Sequence, residues 1–359
     1  MNNSFKQGAD AYEGYTLRKK LTLLLSAILL VIAALYAVGV GSIQIPIAEI
    51  LRTFVGRGDP LSRTAILNIR LPRVVAAVLV GAALASSGVV MQCVLRNPLA
   101  SASTLGVSQG AAFGAALGIV VFGGGVVNPA AAASAIAIDD PYIVTICAFV
   151  CGIFATVVII AISQMKKEIG PGGLVLAGVA LSSLFSGGST LLQYFTDDTK
   201  LGAIVFWTFG DLGSTNWREL LILAVVLAAS MIYFMCSHWD HNAMEAGADT
   251  AKSLGVNIRS VMLISMGISA LLSATAVSFV GIISFVGLVA PHIMRKFVGN
   301  DHRYLLPASA IAGALLLVLA DTFGRSVIAP VILPIGALTA FLGAPVFLLL
   351  LFKGVKHSG

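Results

Sequence analysis

Charged residues are scarce in this 359-residue chain, where they make up 11% of the sequence while hydrophobic residues make up 58%. Soluble domains carry about 25% charged residues, and the mean hydropathy here is +0.97. Runs of about 20 apolar residues, long enough to cross a hydrocarbon core as helices, recur along the chain. The composition therefore excludes a soluble protein and indicates a polytopic membrane protein.

Cysteines are also few. The chain has four, none of them in a CxxC spacing, and all lie in or beside apolar runs: Cys93, Cys147, Cys151 and Cys236. This pattern excludes a secreted disulfide framework. We interpret these cysteines as small buried apolar residues.

The sequence lacks the motifs of an ATPase and of an ion carrier. No GxxxxGK[ST] phosphate loop occurs, so any ATP hydrolysis would come from a partner. Ionisable residues within apolar runs are few, chiefly Asp321 and His292, which weakens the alternative of an ion-coupled secondary transporter. The net charge of +6 lies in short clusters between apolar runs, which speaks against nucleic-acid binding.

The apolar windows predict an all-α polytopic membrane protein with about ten transmembrane helices. The first window is too long for a signal peptide, so we expect an uncleaved span. Residues 1–20 and 354–359 are predicted to be cytoplasmic tails, and residues 21–353 one transmembrane domain. The windows are 21–41, 74–94, 104–123, 142–163, 174–194, 219–236, 258–276, 279–297, 304–323 and 335–352.

The distribution of lysine and arginine predicts that both termini are cytoplasmic. In that orientation 14 of the 22 basic residues lie inside and 8 outside, in agreement with the positive-inside rule. Five of the outer eight nevertheless lie between the first two spans: Arg52, Arg57, Arg63, Arg70 and Arg73. We infer that something outside the membrane binds this charge.

The third window carries a glycine stripe. Gly106, Gly110, Gly114 and Gly118 recur every four residues, a pattern that lets transmembrane helices approach closely, so we predict a helix-packing face. The stripe contains a GxSxG motif around Ser108. A nucleophile elbow needs a strand-to-helix turn with an activating histidine and acid, so we expect no catalytic residue here.

A second short motif consists of His238, Asp240 and His241, just after Cys236. Its spacing matches no familiar zinc site. Because it lies where a span ends, we expect a solvated cytoplasmic loop and predict no metal site.

Several longer motifs follow one another along nearly the whole chain. They are Arg70-Leu71-Pro72-Arg73, Asn97-Pro98-Leu99-Ala100 with Leu105 to Ala111, Phe285 to His292, Leu333 to Gly336, and Leu342 to Phe347. With these motifs the chain resembles the FecCD/BtuC-like permeases of ABC importers, which serve iron-siderophore, haem and cobalamin uptake. The resemblance implies a transport subunit, not an enzyme, in a bacterial or archaeal cell (inner) membrane.

The resemblance also implies partners. Such permeases pair with a second copy or a paralogue, and the pathway runs between the two. Two ABC ATPase subunits bind on the cytoplasmic side, and a periplasmic or lipid-anchored binding protein delivers the cargo. ATP would be bound by the ATPase partners, so no cofactor is expected on this chain. The cargo would be an iron-siderophore or related metal chelate, with haem or cobalamin possible, moved by alternating access.

Three sets of site residues follow from the resemblance by motif match. The binding protein would dock on the outer arginines Arg70, Arg73 and Arg325. The alternative is that Arg70 and Arg73 only anchor the second span at lipid headgroups. A cytoplasmic coupling helix over 242–255 would contact the ATPase through Glu245, Ala246, Ala248, Ala251 and Leu254 and end at Gly255. The cytoplasmic gate would comprise Asn97, Leu99, Pro171 and Gly172.

The chain departs from the family pattern at two places. Relatives carry small hydroxyl residues where this chain has Pro171-Gly172-Gly173, and they often carry glutamate where it has Ile332. The fifth window, 174–195, is expected to line the pathway with Ser182, Ser183, Ser186, Gly187 and Gly188.

Overall fold

The protein is described by a computed structural model over residues 2–41, 59–123, 141–165, 170–328 and 331–355, with isolated positions between 46 and 55. All regular structure within these ranges is helical. The elements are α1 (Asn2–Gly39), α2 (Pro60–Thr64), a π-helical turn (Ala65–Arg70), α3 (Leu71–Val94), α4 (Val107–Val120), α5 (Pro141–Met165), α6 (Pro171–Tyr194), α7 (Asp198–Phe209), α8 (Trp217–Cys236), α9 (His238–Glu245), α10 (Ala248–Ser253), α11 (Ile258–Val280), α12 (Val286–Val298), α13 (His302–Ser326) and α14 (Ile335–Val355).

Seven helices in the described part of the chain are long and apolar enough to cross a membrane. They are Gly14–Gly39, Ser62–Val94, Tyr142–Met165, Gly172–Tyr194, Trp217–Cys236, Ile258–Val280 and His302–Ser326. Two shorter apolar helices, Val107–Val120 and Ile335–Leu349, match the third and tenth predicted windows. The membrane class and the helical fold are thus confirmed, while the count of ten and the position of the termini stay predictions.

Helix α3 is the centre of the bundle and packs against α8, α11, α12 and α13. Glycines allow its closest crossings, because a Cβ at Gly81 would overlap the backbone of Gly313 and a Cβ at Gly88 that of Gly287. Such backbone contact drives helix association where lipid provides no hydrophobic force between helices. The core of the protein is therefore built around α3.

The chain between α11 and α12 breaks later than the sequence indicated. The predicted division lay between Thr275 and Gly281, whereas α11 continues to Val280 and α12 begins at Val286. Gly281 and Phe285 both have positive φ, at 77° and 65°, and a Cβ at Gly281 would overlap the Trp207 carbonyl. Only glycine fits that close approach, which fixes the position of the break.

Helix α7 lies in the segment 196–217, which the sequence assigned to an outer loop. Its start is capped by Asp197, whose Oδ1 accepts a hydrogen bond from the Lys200 backbone N–H at 2.9 Å. The following α8 begins with a capping box formed by Asn216 and Glu219. Both are sequence signals for helix starts, so α7 could have been predicted.

The two predicted tails fall partly within the described residues. Residues 1–20 were predicted as a tail, but residues 2–20 continue the first span as one helix, since α1 begins at Asn2. The Gly/Ala-rich stretch at 124–140, Arg57 and the end of the C-terminal tail at 356–359 lie outside the described residues.

Candidate functional site

A buried ionic cluster joins α3 and α13 at their predicted outer ends. We call it the outer arginine cluster: Arg70, Arg73, Asp211, Asp321 and Arg325. Asp321 Oδ1 accepts a hydrogen bond from Arg73 Nε at 2.9 Å, and its Oδ2 lies 2.9 Å from Arg325 Nε. Arg73 Nη1 lies 3.6 Å from Asp211 Oδ1. The Asp321 carboxylate is thus enclosed by two guanidinium groups, and the residue is only 3% exposed.

The same cluster closes the end of α1. Arg70 Nη1 donates to the carbonyls of Val38 and Gly39 at 3.1 and 3.0 Å. Arg325 donates from Nη1 to Val40 and from Nη2 to Ala37, at 3.0 and 3.1 Å. Carbonyls in the last turn of a helix have no partner within the helix and attract cations. The two arginines therefore fasten α1 to the bundle.

The three predicted docking residues lie together in this cluster, but their charged groups point inward. Arg70 and Arg325 are each 8% exposed, and both bind α1. Their role in docking remains a prediction. The sequence singled out Asp321 only as an isolated ionisable residue, although its spacing of four residues to Arg325 on one helix is a signal for an ion pair.

The predicted gate residues Asn97 and Leu99 form a tight turn after α3. Asn97 N–H donates to the Gln92 carbonyl at 3.1 Å, and Asn97 Oδ1 accepts from Leu99 N–H at 2.9 Å. Arg96 between helix and turn has a φ of 43°, a left-handed conformation that is uncommon outside glycine. The turn is therefore compact and holds Leu99 at the surface, where it is 40% exposed.

The other two gate residues, Pro171 and Gly172, are the first residues of α6. Farther along α6, at Gly178, the helix contacts the loop that follows α3, because a Cβ there would lie 2.8 Å from Leu105 Cα. The structure thus brings the two gate segments onto adjoining elements through α6.

A polar cleft of about 380 Å³ lies between α6 and the start of α4. It is lined by Thr104, Gln109, Val179, Ser182, Ser183 and Ser186. The three serines of this lining were predicted to line the pathway. The lining offers hydroxyl and amide groups but no histidine, cysteine or carboxylate, so the cleft can contact a polar solute without ligating a bare metal ion.

The glycine stripe divides between two neighbours. A Cβ at Gly110 would lie 2.7 Å from the Cys151 carbonyl oxygen, a Cβ at Gly114 would overlap the Cys147 carbonyl, and one at Gly118 would lie 3.0 Å from Val144 Cα, all on α5. Gly106 lies outside the helix as its left-handed N-cap, with φ 89°, and faces Ser182 on α6. The spacing alone predicted a single face, whereas the four glycines pack against two different helices.

Ser108 of the GxSxG motif is buried in the first turn of α4. It borders a small void of about 20 Å³ lined by serines and apolar residues. That lining includes neither a histidine nor a carboxylate, so it offers Ser108 no activating base there.

The predicted coupling helix is two short helices rather than one. Helix α9 ends at Glu245 and α10 begins at Ala248, with Gly247 at φ 128° between them. Gly255 ends α10 as predicted, with φ 81° and hydrogen bonds from Gly255 N–H to Lys252 and from Val256 N–H to Ala251, both 2.9 Å. This bond pattern is a Schellman motif.

The surface of this coupling segment (residues 238–255) differs in part from the expected set. Glu245, Ala246 and Leu254 are exposed, with Leu254 at 68%, and Ala248 is half-buried. Ala251 is fully buried and cannot contact a partner, because its side chain packs inward. The accessible surface is therefore more polar than predicted, and it includes Asp249 and Lys252.

Beneath the coupling segment lies a second polar cluster, which we call the inner histidine cluster: Cys93, His241, Asn242, Asp301 and His302. Asn242 Nδ2 donates to Asp301 Oδ1 at 3.1 Å, and Asn242 Oδ1 accepts from the His302 backbone N–H at 2.8 Å. The Cys93 thiol donates to the His241 carbonyl at 3.3 Å. The cluster thus links the ends of α3, α9 and α13.

His241 was predicted to lie in a solvated loop, and this was wrong. It is 1% exposed, and its Nε2 lies 2.9 Å from Ser265 Oγ. Burial, with a smaller contribution from the charge of His238, lowers the pKa of His241 to about 4. The imidazole is therefore neutral at pH 7.

Comparisons with known proteins agree with this architecture. The profile of the FecCD transport family matches residues 29–353. The chain is 48% identical to a Methanocaldococcus jannaschii protein assigned as an ABC transporter permease, over 96% of this chain and 98% of that one. It is 37% identical to the hemin transport system permease of Yersinia pestis, over 91% and 93%.

A solved structure gives the same result in three dimensions. It is assigned as a metal-chelate type ABC transporter in an inward-facing conformation. It superposes with a TM-score of 0.79 at 33% identity and covers 92% of this chain and 98% of that chain. Together with the family profile, these likenesses show that the chain belongs to the FecCD transport family.

Proposed function

We propose that this chain is the membrane-spanning permease subunit of a binding-protein-dependent ABC importer that carries a metal chelate. The observation that carries the proposal is the polar cleft on α6. Ser183, Ser186 and Thr190 are exposed on this helix, although it is one of those long and apolar enough to cross the membrane. Polar groups on a spanning helix face a water-filled path or another protein rather than lipid.

A second copy of the chain, or a paralogue, supplies the other wall of that path. Within the described residues, helix α6 packs against α4, α5 and the loop before α4. Its opposite side presents large apolar residues such as Leu176, Leu184 and Leu191 beside the serines. A mixed small, polar and apolar face suits contact with a protein partner across a pathway.

The cargo is a chelated metal, because the cleft offers only hydroxyl, amide and apolar groups. A bare cation needs carboxylate, imidazole or thiolate ligands, whereas a chelate brings its own ligands and needs only a polar wall. Haem-type and siderophore-type chelates both meet this requirement. The hemin permease among the relatives supports the first, and the cleft chemistry supports either.

Energy comes from separate ATPase subunits that bind ATP in place of this chain. The sequence contains no phosphate loop, and the coupling segment exposes Glu245, Asp249 and Leu254 on one end of the molecule. A short exposed helix pair of this kind docks in a groove on a partner. ATP-driven closure of the ATPase dimer would then move α9 and, through the inner histidine cluster, the ends of α3 and α13.

The alternative, an ion-coupled secondary transporter, is weakened by the position of Asp321. Carriers of that class commit carboxylates to a coupling ion near the membrane centre. Asp321 is bound by two arginines within 3 Å, at 2.9 Å each. It is therefore not available to a coupling ion.

The test is uptake of a ferric chelate, and separately of hemin, into proteoliposomes that contain the permease with its ATPase and binding protein. We expect uptake only with ATP, and a several-fold loss for Ser186→Leu, which places an apolar side chain in the cleft. Ile232→Leu, at an exposed apolar position on α8, is the matched control and should transport normally. Uptake driven by an ion gradient without the ATPase would refute the proposal and favour the secondary carrier.

A further inference from the structure

Three side chains of metal-ligating type converge where the coupling segment meets the bundle. They are Cys93 at the end of α3, Glu245 at the end of α9 and His302 at the start of α13. One ligand atom from each lies within 4.8 Å of the others. Because the three come from separate elements, their convergence is a product of the fold and not of local sequence.

The state of His302 provides an independent indication of a ligand. The residue is 1% exposed, and its Nε2 is buried without a hydrogen-bond partner among the described residues. A buried polar atom without a partner requires an explanation, such as an ion that the site binds. Nε2 of His302 is therefore a buried nitrogen with no hydrogen-bond partner among the described residues.

The neighbouring Asn242 fixes the protonation of that ring. Asn242 Nδ2 donates to Asp301 Oδ1 at 3.1 Å, which sets the orientation of the amide, so Asn242 Oδ1 faces His302 Nδ1 at 3.0 Å. Nδ1 must then donate, and Nε2 carries a lone pair. A histidine held by its second nitrogen in this way is the arrangement found around metal ligands.

The ligand set and its spacing suit a borderline divalent ion. Thiolate, imidazole and carboxylate together are the ligands of Zn²⁺ and of Co²⁺ in the same geometry. Tetrahedral coordination places such ligand atoms about 3.4–3.6 Å apart. Glu245 is exposed, so rotation of its side chain can close the remaining distance, and solvent supplies the fourth ligand.

We propose that Cys93, Glu245 and His302 form a binding site for a Zn²⁺-like divalent ion at the cytoplasmic end of the molecule. The thiol loses its proton on binding, and the thiolate and carboxylate together neutralise the ion. Arg96 and Arg295 lie near Cys93, and the thiol keeps its proton while the site is empty. No carboxylate other than Glu245 is required.

Occupancy clamps the coupling segment onto the bundle. The ion joins α9 to α3 and α13 and holds the Glu245 carboxylate at Cys93 and His302, where it is no longer free to contact the ATPase. This consequence rests on the proposed function, since it assumes that α9 couples to a partner.

The binding test uses the purified permease in lipid nanodiscs, treated with chelator and titrated with Co²⁺. We expect one equivalent to produce a thiolate-to-cobalt charge-transfer absorption that Zn²⁺ abolishes. Cys93→Ser should lose this absorption, and Glu245→Gln should weaken the apparent Kd at least tenfold. Cys236→Ser, which removes an exposed cysteine on α8, should retain the absorption at full strength.

Absence of the absorption in the wild-type protein, or its loss in Cys236→Ser with retention in Cys93→Ser, would overturn the proposal. Because Glu245 is exposed, Glu245→Gln should fold even if Cys93→Ser does not, so an unchanged Kd in Glu245→Gln is equally decisive. Hydrogen exchange of residues 238–255 in the isolated permease should slow on Zn²⁺ addition. Unchanged exchange with bound metal would overturn the clamp, and none of these readouts depends on transport or on the ATPase.

Discussion

The outer arginine cluster and the inner histidine cluster are both buried groups of polar side chains at the ends of spanning helices, yet they differ in completeness. In the outer cluster Asp321 pairs with Arg73 and Arg325 at 2.9 Å, and Arg325 together with Arg70 binds the last carbonyls of α1. In the inner cluster neither His302 Nε2 nor the nearby Arg295 Nε has a hydrogen-bond partner among the described residues. We call the outer cluster closed because each of its charged side chains has an ion-pair or carbonyl partner, although Arg325 Nε lies 2.9 Å from Asp321 Oδ2 without hydrogen-bond geometry. The inner cluster has unused bonding capacity at His302 Nε2.

This difference indicates what each end of the molecule does. Buried charges that are fully paired hold elements in one arrangement, since separating them exposes an unpaired charge. Buried polar atoms that lack partners mark a place where a ligand binds or where elements move. We therefore assign a fastening role to the outer cluster and a coupling role to the inner one.

The largest expected effect comes from breaking the closed cluster. Asp321→Asn leaves Arg325 buried without a counter-charge and leaves Arg73 with Asp211 alone, so we expect a loss of about 3–5 kcal/mol in the free energy of unfolding. Asp197→Asn is the control, because Asp197 pairs with Lys200 at 4.0 Å and is 59% exposed. That control should change stability by at most about 1 kcal/mol. Denaturant unfolding in detergent micelles measures both, and equal losses would contradict the comparison.

The next effect concerns pH and the inner cluster. The folded-state pKa of His241 is lowered to about 4, whereas an exposed histidine has a pKa of about 6.5. The unfolded state therefore binds more protons between these values, so stability is full above pH 6.5 and falls as the pH drops toward 4. The titration of His241 alone lowers the free energy of unfolding by at most roughly 3 kcal/mol.

The measurement is the unfolding midpoint between pH 7.5 and pH 4.5, compared with His241→Asn. The variant has no ionisable group at this position, so its pH dependence over this range should be clearly weaker. A wild-type protein whose stability does not fall between pH 6.5 and 4.5, or a variant with the same slope, would show that His241 is not buried in its neutral form.

A smaller effect tests the fastening of α1. Arg325→Lys keeps the charge but loses the fork that binds Asp321 and two α1 carbonyls at once, so we expect a loss of about 1–3 kcal/mol. Hydrogen exchange at residues 37–41 should become faster, because the end of α1 is released. Arg259→Lys, at an exposed position, should leave both stability and exchange unchanged. Release of α1 by the control as well would show that the effect is not specific to the cluster.

Much of the architecture could be predicted from the sequence, because long apolar runs have few alternatives in a membrane. The all-helical membrane fold was anticipated, and so was the choice of Arg70, Arg73 and Arg325 as one set. Which way those arginines point could not be predicted, since the answer depends on Asp321 and on the end of α1, which are far apart in sequence. The same holds for the inner cluster, whose members come from three helices.

Local errors have a different cause. The division of α9 from α10 depends on Gly247, whose φ of 128° suits glycine, but a glycine in a helical pattern does not by itself predict a break. Ala251 was assigned to the surface because small residues suit docking, and the packing of α10 against the bundle buries it. Burial of a small residue is decided by tertiary contacts rather than by local pattern.

The smallest expected effect is a difference in stability between two variants of Arg96, at the inner end of the molecule. Arg96 has a φ of 43° in the turn that links α3 to the gate residues, a conformation that costs a residue with a Cβ about 1 kcal/mol relative to glycine. Arg96→Gly and Arg96→Ala both remove the weak contact from Arg96 Nη2 to the Met244 carbonyl at 3.5 Å. Their difference therefore isolates the backbone, and we expect the glycine variant to be more stable by about 1 kcal/mol in denaturant unfolding. If the alanine variant were equally stable, the turn would hold no backbone strain. The difference between the two ends of the molecule would then rest on the unpartnered atoms of the inner histidine cluster alone.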